Sequence, residues 1–206
     1  MKKCISIAVI SILFSAIAFA GISPDIQAGI SYSAQKESYT DSGIDYVNKT
    51  QRTGFNIENC NTFDSGFGFF ENLNFEFSRN GSAEVKDKTY DYNDDSFFAF
   101  ELIAGPSYQF CLNDTTKLQF GAGFHYLSQK WTEDDFTYGS TSMGLAILFN
   151  YKLKLTGTWF VTAGASAFFD FKNSLSYTYG SDSYTIPASS YCLIGVQPHL
   201  LIGYQF

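Results

Sequence analysis

Apolar and polar residues alternate with a period of two along most of the chain. Residues 158–172 place Trp159, Val161, Ala163, Ala165, Ala167, Phe169 and Phe171 on one face. Thr158, Phe160, Thr162, Gly164, Ser166, Phe168, Asp170 and Lys172 form the other. Strict alternation over this length predicts a strand. The same division recurs over residues 25–35, 52–61, 66–78, 97–111, 116–129 and 142–154, and again from Leu193 to the final Phe206. That predicts eight strands. Turn-forming residues place short connections near 62–65, 112–115 and 155–157, and polar stretches near 36–51, 79–96, 130–141 and 173–190 read as loops.

An even number of strands, with short turns at one end and longer loops at the other, predicts an all-β, eight-stranded antiparallel up-and-down transmembrane β-barrel. One face of each strand is almost wholly apolar, and no Lys or Arg falls on it within the predicted strands. A basic residue there would cost about 2 to 4 kcal/mol at the bilayer midplane. Glu71 is the acidic exception. Either the third strand starts later, leaving Glu71 near the periplasmic interface, or a bulge around Phe69-Phe70 shifts the register. A lipocalin-like soluble carrier would have the same strand count with its apolar face inward. Here the polar face is rich in Gly, Ala and Ser, small enough to fill a narrow lumen. Trp159, Tyr108, Phe110, Tyr151 and Phe171 gather toward strand ends on the apolar face, as interfacial girdles do.

The N-terminus reads MKKCISIAVISILFSAIAFA, a basic start, an apolar run and an Ala18-Phe19-Ala20 cleavage site. Residues 1–20 are expected to be a cleaved signal peptide, leaving residues 21–206 as the barrel domain. Two of the 13 basic residues go with it, so 11 remain against 20 acidic ones and the charge is about −9. That excludes nucleic acid as a partner through a basic patch.

With its terminal Leu200, Ile202, Tyr204 and Phe206, the chain resembles the small eight-stranded outer-membrane proteins of the OmpX, OmpW and OmpA transmembrane-domain type. The resemblance implies a bacterial outer-membrane location with extracellular loops and periplasmic termini. It also implies that these four residues are read by the barrel-assembly machinery. The stricter form of that signal has Gly where Leu201 stands.

An eight-stranded barrel is just wide enough inside for side chains. Inward positions carry Glu58, Glu76, Glu101 and Asp170 with Lys117, Lys152, Lys154, Lys172, His125 and His199. These are expected to pair across the lumen as a charged plug, the alternative being a narrow channel for small solutes. A lipid-modifying enzyme would need a reactive pair on one face. The nearest local pair, His125 and Ser128, has an odd spacing that sets the two on opposite faces, so no enzyme activity and no cofactor are expected.

Asp91, Asp94, Asp95, Glu133, Asp134 and Asp135 are expected at the extracellular rim, as a solvated surface or a cation site of hard oxygen ligands. No resident metal is expected. The Tyr- and Ser-rich residues 173–190 suit contact with a host or cell-surface ligand. Surface interaction, adhesion or envelope structure is therefore the expected role, with outer-membrane lipid as the surrounding partner. Beyond Cys4, Cys60, Cys111 and Cys192 remain; three free buried thiols are expected, the alternative being a bridge between Cys60 and Cys111, which both face inward near the periplasmic end but are separated by a whole strand.

Overall fold

In a computed structural model of the chain, the structure describes residues 22–206 apart from 87, 95, 134, 135, 180, 181, 187 and 188. The strands are β1 (Ile22–Asp41), β2 (Ile44–Phe63), β3 (Phe67–Val85), β4 (Lys88–Asp94), β5 (Phe97–Cys111), β6 (Thr116–Glu133), β7 (Phe136–Thr156), β8 (Trp159–Tyr179), β9 (Asp182–Ile186) and β10 (Ser189–Gln205). Antiparallel neighbours run β10-β1-β2-β3-β5-β6-β7-β8, and β10 also pairs with β8. That last pairing closes an eight-stranded ring and removes its edges. The remaining two strands, β4 and β9, form hairpins on β3 and β8.

Strand faces follow the alternation. Ile194, Val196, Leu200 and Ile202 are at least half solvent-facing on the outside of β10, while Leu193, Gln197 and Leu201 are buried inside. Leu145, Ile147, Phe149, Phe169 and Phe171 continue the outer apolar belt around β7 and β8. At the end carrying the short turns, Trp159 packs edge-on against Tyr204 at 5.4 Å, and Phe67, Tyr108 and Phe110 form a similar chain. No described residue covers this belt. A surface so apolar over its whole circumference matches the lipid-facing band of membrane barrels.

Most of the described residues in the four stretches expected as polar loops instead lie in paired strands. β1 and β2 stay in register from Ile22↔Phe63 to Asp41↔Ile44 and turn through Ser42 and Gly43, both with positive φ. That is the type I′ geometry whose twist matches a two-residue hairpin. A 20-residue strand is about 66 Å long at ~3.3 Å per residue. Only ~9 to 11 tilted residues are needed to cross the hydrocarbon. The hairpins therefore stand well clear of the apolar belt at the end opposite the turns.

Two further expectations change. Glu71 needs neither a later strand start nor a bulge at Phe69-Phe70: β3 begins at Phe67 and stays in register with β2 and β5 from Gly68 to Glu76. Its half-buried side chain faces outward beside Asn59, its ladder partner. The bulge in β3 comes later, where Thr53 pairs Ser78 but Gly54 pairs Glu76, leaving Phe77 extra. Lys172 was expected inward and is exposed and outward. A bulge at Phe171 is the cause, since Gly144 pairs Asp170 while Met143 pairs Lys172.

Candidate functional site: a filled lumen beneath an aromatic mouth

The lumen holds two buried polar networks with aromatic and aliphatic side chains between them. At the turn end Lys152 Nζ lies 2.9 Å from Asp25 Oδ2, both side chains buried. One layer in, Glu58 accepts hydrogen bonds from Gln27 Nε2 at 2.5 Å, Asn150 Nδ2 at 2.7 Å and Asn72 Nδ2 at 2.9 Å. His199 Nε2 is 2.8 Å from Asn150 Oδ1 in the same network. Three amide donors disperse the Glu58 charge, the condition under which a buried carboxylate is tolerated.

Farther toward the hairpins a second network crosses the barrel. Arg52 Nε is 2.9 Å from Glu76 Oε2, and Arg52 Nη2 is 3.5 Å from Glu101 Oε2. His125 Nε2 is 3.6 Å from Glu101 Oε1, and its Nδ1 is 2.6 Å from Asp170 Oδ1. Ser142 donates to Asp170 Oδ2 at 2.5 Å, and Ser33 donates to Glu76 Oε1 at 2.8 Å. The His125 ring stacks on Phe168 at 4.3 Å. Rings fill what the ions leave: a Cβ added at Gly195 would collide with the Phe168 ring, and one at Gly203 with Phe160. Cys60, Phe70, Ile103, Leu127, Leu148 and Leu193 complete a buried apolar cluster.

Of the inward residues singled out in the sequence, Glu58, Glu76, Glu101, His125, Lys152, Asp170 and His199 are thus brought into these two networks. Lys117 is half-buried, with Nζ 3.4 Å from Gln205 Oε1, and Lys154 is exposed. Both line a cavity of about 80 Å³ at the turn end with Asp25 and Asp114. Lys172 belongs to neither. Sequence reasoning missed Asp25 and Arg52, although each shares the parity of a recognised inward set, and placed Ser142 inward without a role. Cys60 is buried and takes a hydrogen bond from Gln119 Nε2 at 3.0 Å, Cys192 is half-buried, and Cys111 is exposed instead of buried, because its strand ends there at the rim. All three thiols are free.

Above the apolar belt the amphipathic pattern inverts. Residues 36–51, 79–96, 130–141 and 173–190 contain ten aromatic residues. Register places all of them on the inward face. Phe97, inside the barrel, pairs Trp131, and the row continues Trp131↔Tyr138↔Tyr177↔Tyr184 across β6 to β9. Phe136 pairs Tyr179 one step higher. On the facing wall Tyr39 pairs Tyr46, while Tyr90 and Tyr92 pair Ala83 and Gly81 on the same inward face. The outward face there is mostly polar and charged, including Lys36, Lys49, Asp91, Thr137, Ser176 and Thr178. Once the outer face leaves lipid it meets water, so the apolar side chains turn inward.

Stacking fixes these rings. Trp131 and Tyr138 lie 5.4 Å apart at 13°, Tyr177 and Tyr184 5.1 Å at 19°, and Tyr39 and Tyr46 5.0 Å at 6°. At the floor the Arg79 guanidinium sits 4.3 Å from both the Tyr92 and the Trp131 ring centres, bridging the two walls. Tyr90, Tyr179 and Tyr184 remain about half exposed. Glu37 is buried nearby and accepts from Asn48 Nδ2 at 3.0 Å. Burial and the Glu37 charge push the Tyr39 hydroxyl up to about 12.

The acidic residues expected to form a cation site are not brought together among the described residues, where no metal-holding group of His, Cys, Asp and Glu occurs. Asp91 pairs Ser82 and faces outward, away from Tyr90 and Tyr92. Asp95, Asp134, Asp135 and the side chains of Asp94 and Glu133 lie outside the described residues. Ser128 pairs Phe100 on the outer face, opposite His125.

A family model described as a protein of unknown function, DUF481, matches residues 85–185, from the end of β3 through most of β9. No curated protein matches the chain. Among solved structures, the outer membrane protein OprG from Pseudomonas aeruginosa is similar with a TM-score of 0.62 and 14% identity, over 91% of this chain and 96% of that one. Neisserial surface protein A has a TM-score of 0.55 and 16% identity, over 90% of this chain and 99% of that one. A major outer membrane protein from Thermus thermophilus has a TM-score of 0.51 and 12% identity, over 86% of this chain and 99% of that one. Ring closure, outer belt and these likenesses agree: the chain has the fold of the small outer-membrane β-barrels.

Proposed function

We propose that the chain serves at the bacterial outer membrane as a surface-recognition protein, with its hairpins extracellular and its turns and termini periplasmic. The observation that carries this reading is the contrast along one axis. The lumen is filled by buried ion pairs and rings, whereas the walls above it present partly exposed aromatic residues. A blocked interior leaves the projecting end as the part able to meet other molecules. Exposed Tyr and Trp give large contact area at low entropic cost. On this reading residues 1–20 direct export and are removed, and Leu200, Ile202, Tyr204 and Phe206 are read by the assembly machinery.

The test has two arms on the refolded full barrel and on cells displaying it. Planar bilayers containing the protein should show no discrete conductance steps. Cells should attach to host-cell or matrix surfaces, and attachment should vanish when the four hairpins are shortened to tight turns. Regular conductance steps, or attachment indifferent to the hairpins, would replace this reading with the narrow channel or with a purely structural role.

A further inference from the structure

Glu37 stands apart from the other buried carboxylates. Asp25 has Lys152, Glu76 has Arg52, Glu101 has Arg52 and His125, Asp170 has His125, and Glu58 has three amide donors. Glu37 is only 5% exposed, yet among the described residues it has no cationic partner. Asn48 serves its Oε2, no hydrogen bond of normal geometry reaches Oε1, and the neutral Tyr191 hydroxyl beside the carboxylate brings no counter-charge. Its basic chain neighbour Lys36 pairs Lys49 across the ladder and points to the outer face. A buried charge without a counter-charge is strongly destabilised.

The surroundings of Glu37 are aromatic. It acts electrostatically on the hydroxyls of Tyr39 and Tyr191, and Tyr39 lies flat against Tyr46. Ring faces are electron-rich and attract cations, most strongly those that shed water easily. This end of the barrel already uses that attraction once, in the Arg79 guanidinium held between Tyr92 and Trp131. The wider field has the same sign, since residues 36–51, 79–96, 130–141 and 173–190 carry twelve Asp and Glu against six Lys and Arg.

We propose that Glu37, Tyr39, Tyr46 and Tyr191 form a site in the aromatic mouth for a small organic cation of the quaternary-ammonium class, taken up from solution. A hard metal ion would demand several converging oxygens, and among the described residues no such metal-holding group occurs. An anion is repelled. The inference rests on the surface-recognition reading above, because it needs the hairpin end to face the medium.

The experiment is calorimetric titration of choline chloride into the refolded full barrel in an uncharged detergent. Titration with 3,3-dimethyl-1-butanol, the neutral isostere of choline, runs in parallel. Choline should bind saturably and the isostere at least ten-fold more weakly. Glu37→Gln should weaken choline at least ten-fold, and Tyr46→Leu several-fold, whereas Tyr39→Phe, which keeps the ring, should change it less than two-fold. Heat-modifiable gel mobility tracks folding, and if Glu37→Gln does not fold, Tyr46→Leu and the isostere decide. The proposal is overturned by absence of saturable binding to the folded wild type, by equal binding of the isostere, or by binding that appears only with phosphatidylcholine vesicles. Such a failure leaves hairpin-dependent attachment intact. Conversely, loss of attachment leaves the choline titration readable.

Discussion

His125 Nδ1 lies 2.6 Å from Asp170 Oδ1, with neither side chain reaching solvent. The pair joins β6 to β8 across β7 and sits beneath the mouth, at the upper end of a chain of charges that begins on β2 at Arg52. Breaking one member of a buried pair is costlier than removing both, because the survivor keeps its desolvation penalty. Asp170→Ala should therefore destabilise the barrel by about 3 to 5 kcal/mol in urea unfolding from lipid vesicles. A loss below about 1 kcal/mol would show that the pair contributes no more than an exposed one.

Arg52 faces two carboxylates, Glu76 and Glu101. Arg52→Met should destabilise strongly, and adding Glu76→Gln should restore part of the loss, a coupling of about 0.5 to 3 kcal/mol in a double-mutant cycle. Strict additivity of the two changes would contradict the network.

The outer face changes solvent along its length, and matched substitutions on β7 and β8 can locate the change. Ile147→Arg, in the apolar belt, should cost about 2 to 4 kcal/mol if it lies near the midplane. Thr178→Arg, on the same outer face above the belt, should stay within about 0.5 kcal/mol of wild type. Equal costs at the two sites would contradict the placement of lipid and water.

Thiol chemistry separates inside from rim. In the folded barrel a maleimide should label Cys111 quickly, while Cys60, buried and hydrogen-bonded by Gln119, should react only after unfolding. Rapid labelling of Cys60 in the native state would show a lumen open to water.

Much of this fold was legible because one force, apolar contact with lipid, acts on every second residue of the belt. β5 spans Phe97–Cys111, the range alternation predicts. Above the belt that force stops and the sign of the pattern reverses, which is why residues 36–41 and 173–179 read as parts of loops although they are paired strands. Bulges hid other features. The extra residue at Phe171 turned Lys172 outward, and the one at Phe77 brought Arg79 inward, where parity counted from Glu76 would not find it. Arg52 and Asp25 required only that the even and odd sets of Glu58 and Gln27 be carried further along β2 and β1. The convergence of Glu37 with Tyr191 joins residues 154 positions apart and has no local signal.

The apolar outer face is built for lipid, a placement on which the inward and outward sets of every strand depend. Its most direct test is the gel mobility of unboiled and boiled samples of the refolded chain lacking residues 1–20, prepared with and without lipid vesicles. A compact, β-rich, boil-sensitive species should form only in the presence of lipid or detergent. A stable folded monomer in plain buffer would contradict it, because Ile147, Leu200 and Ile202 could not then remain on the outside.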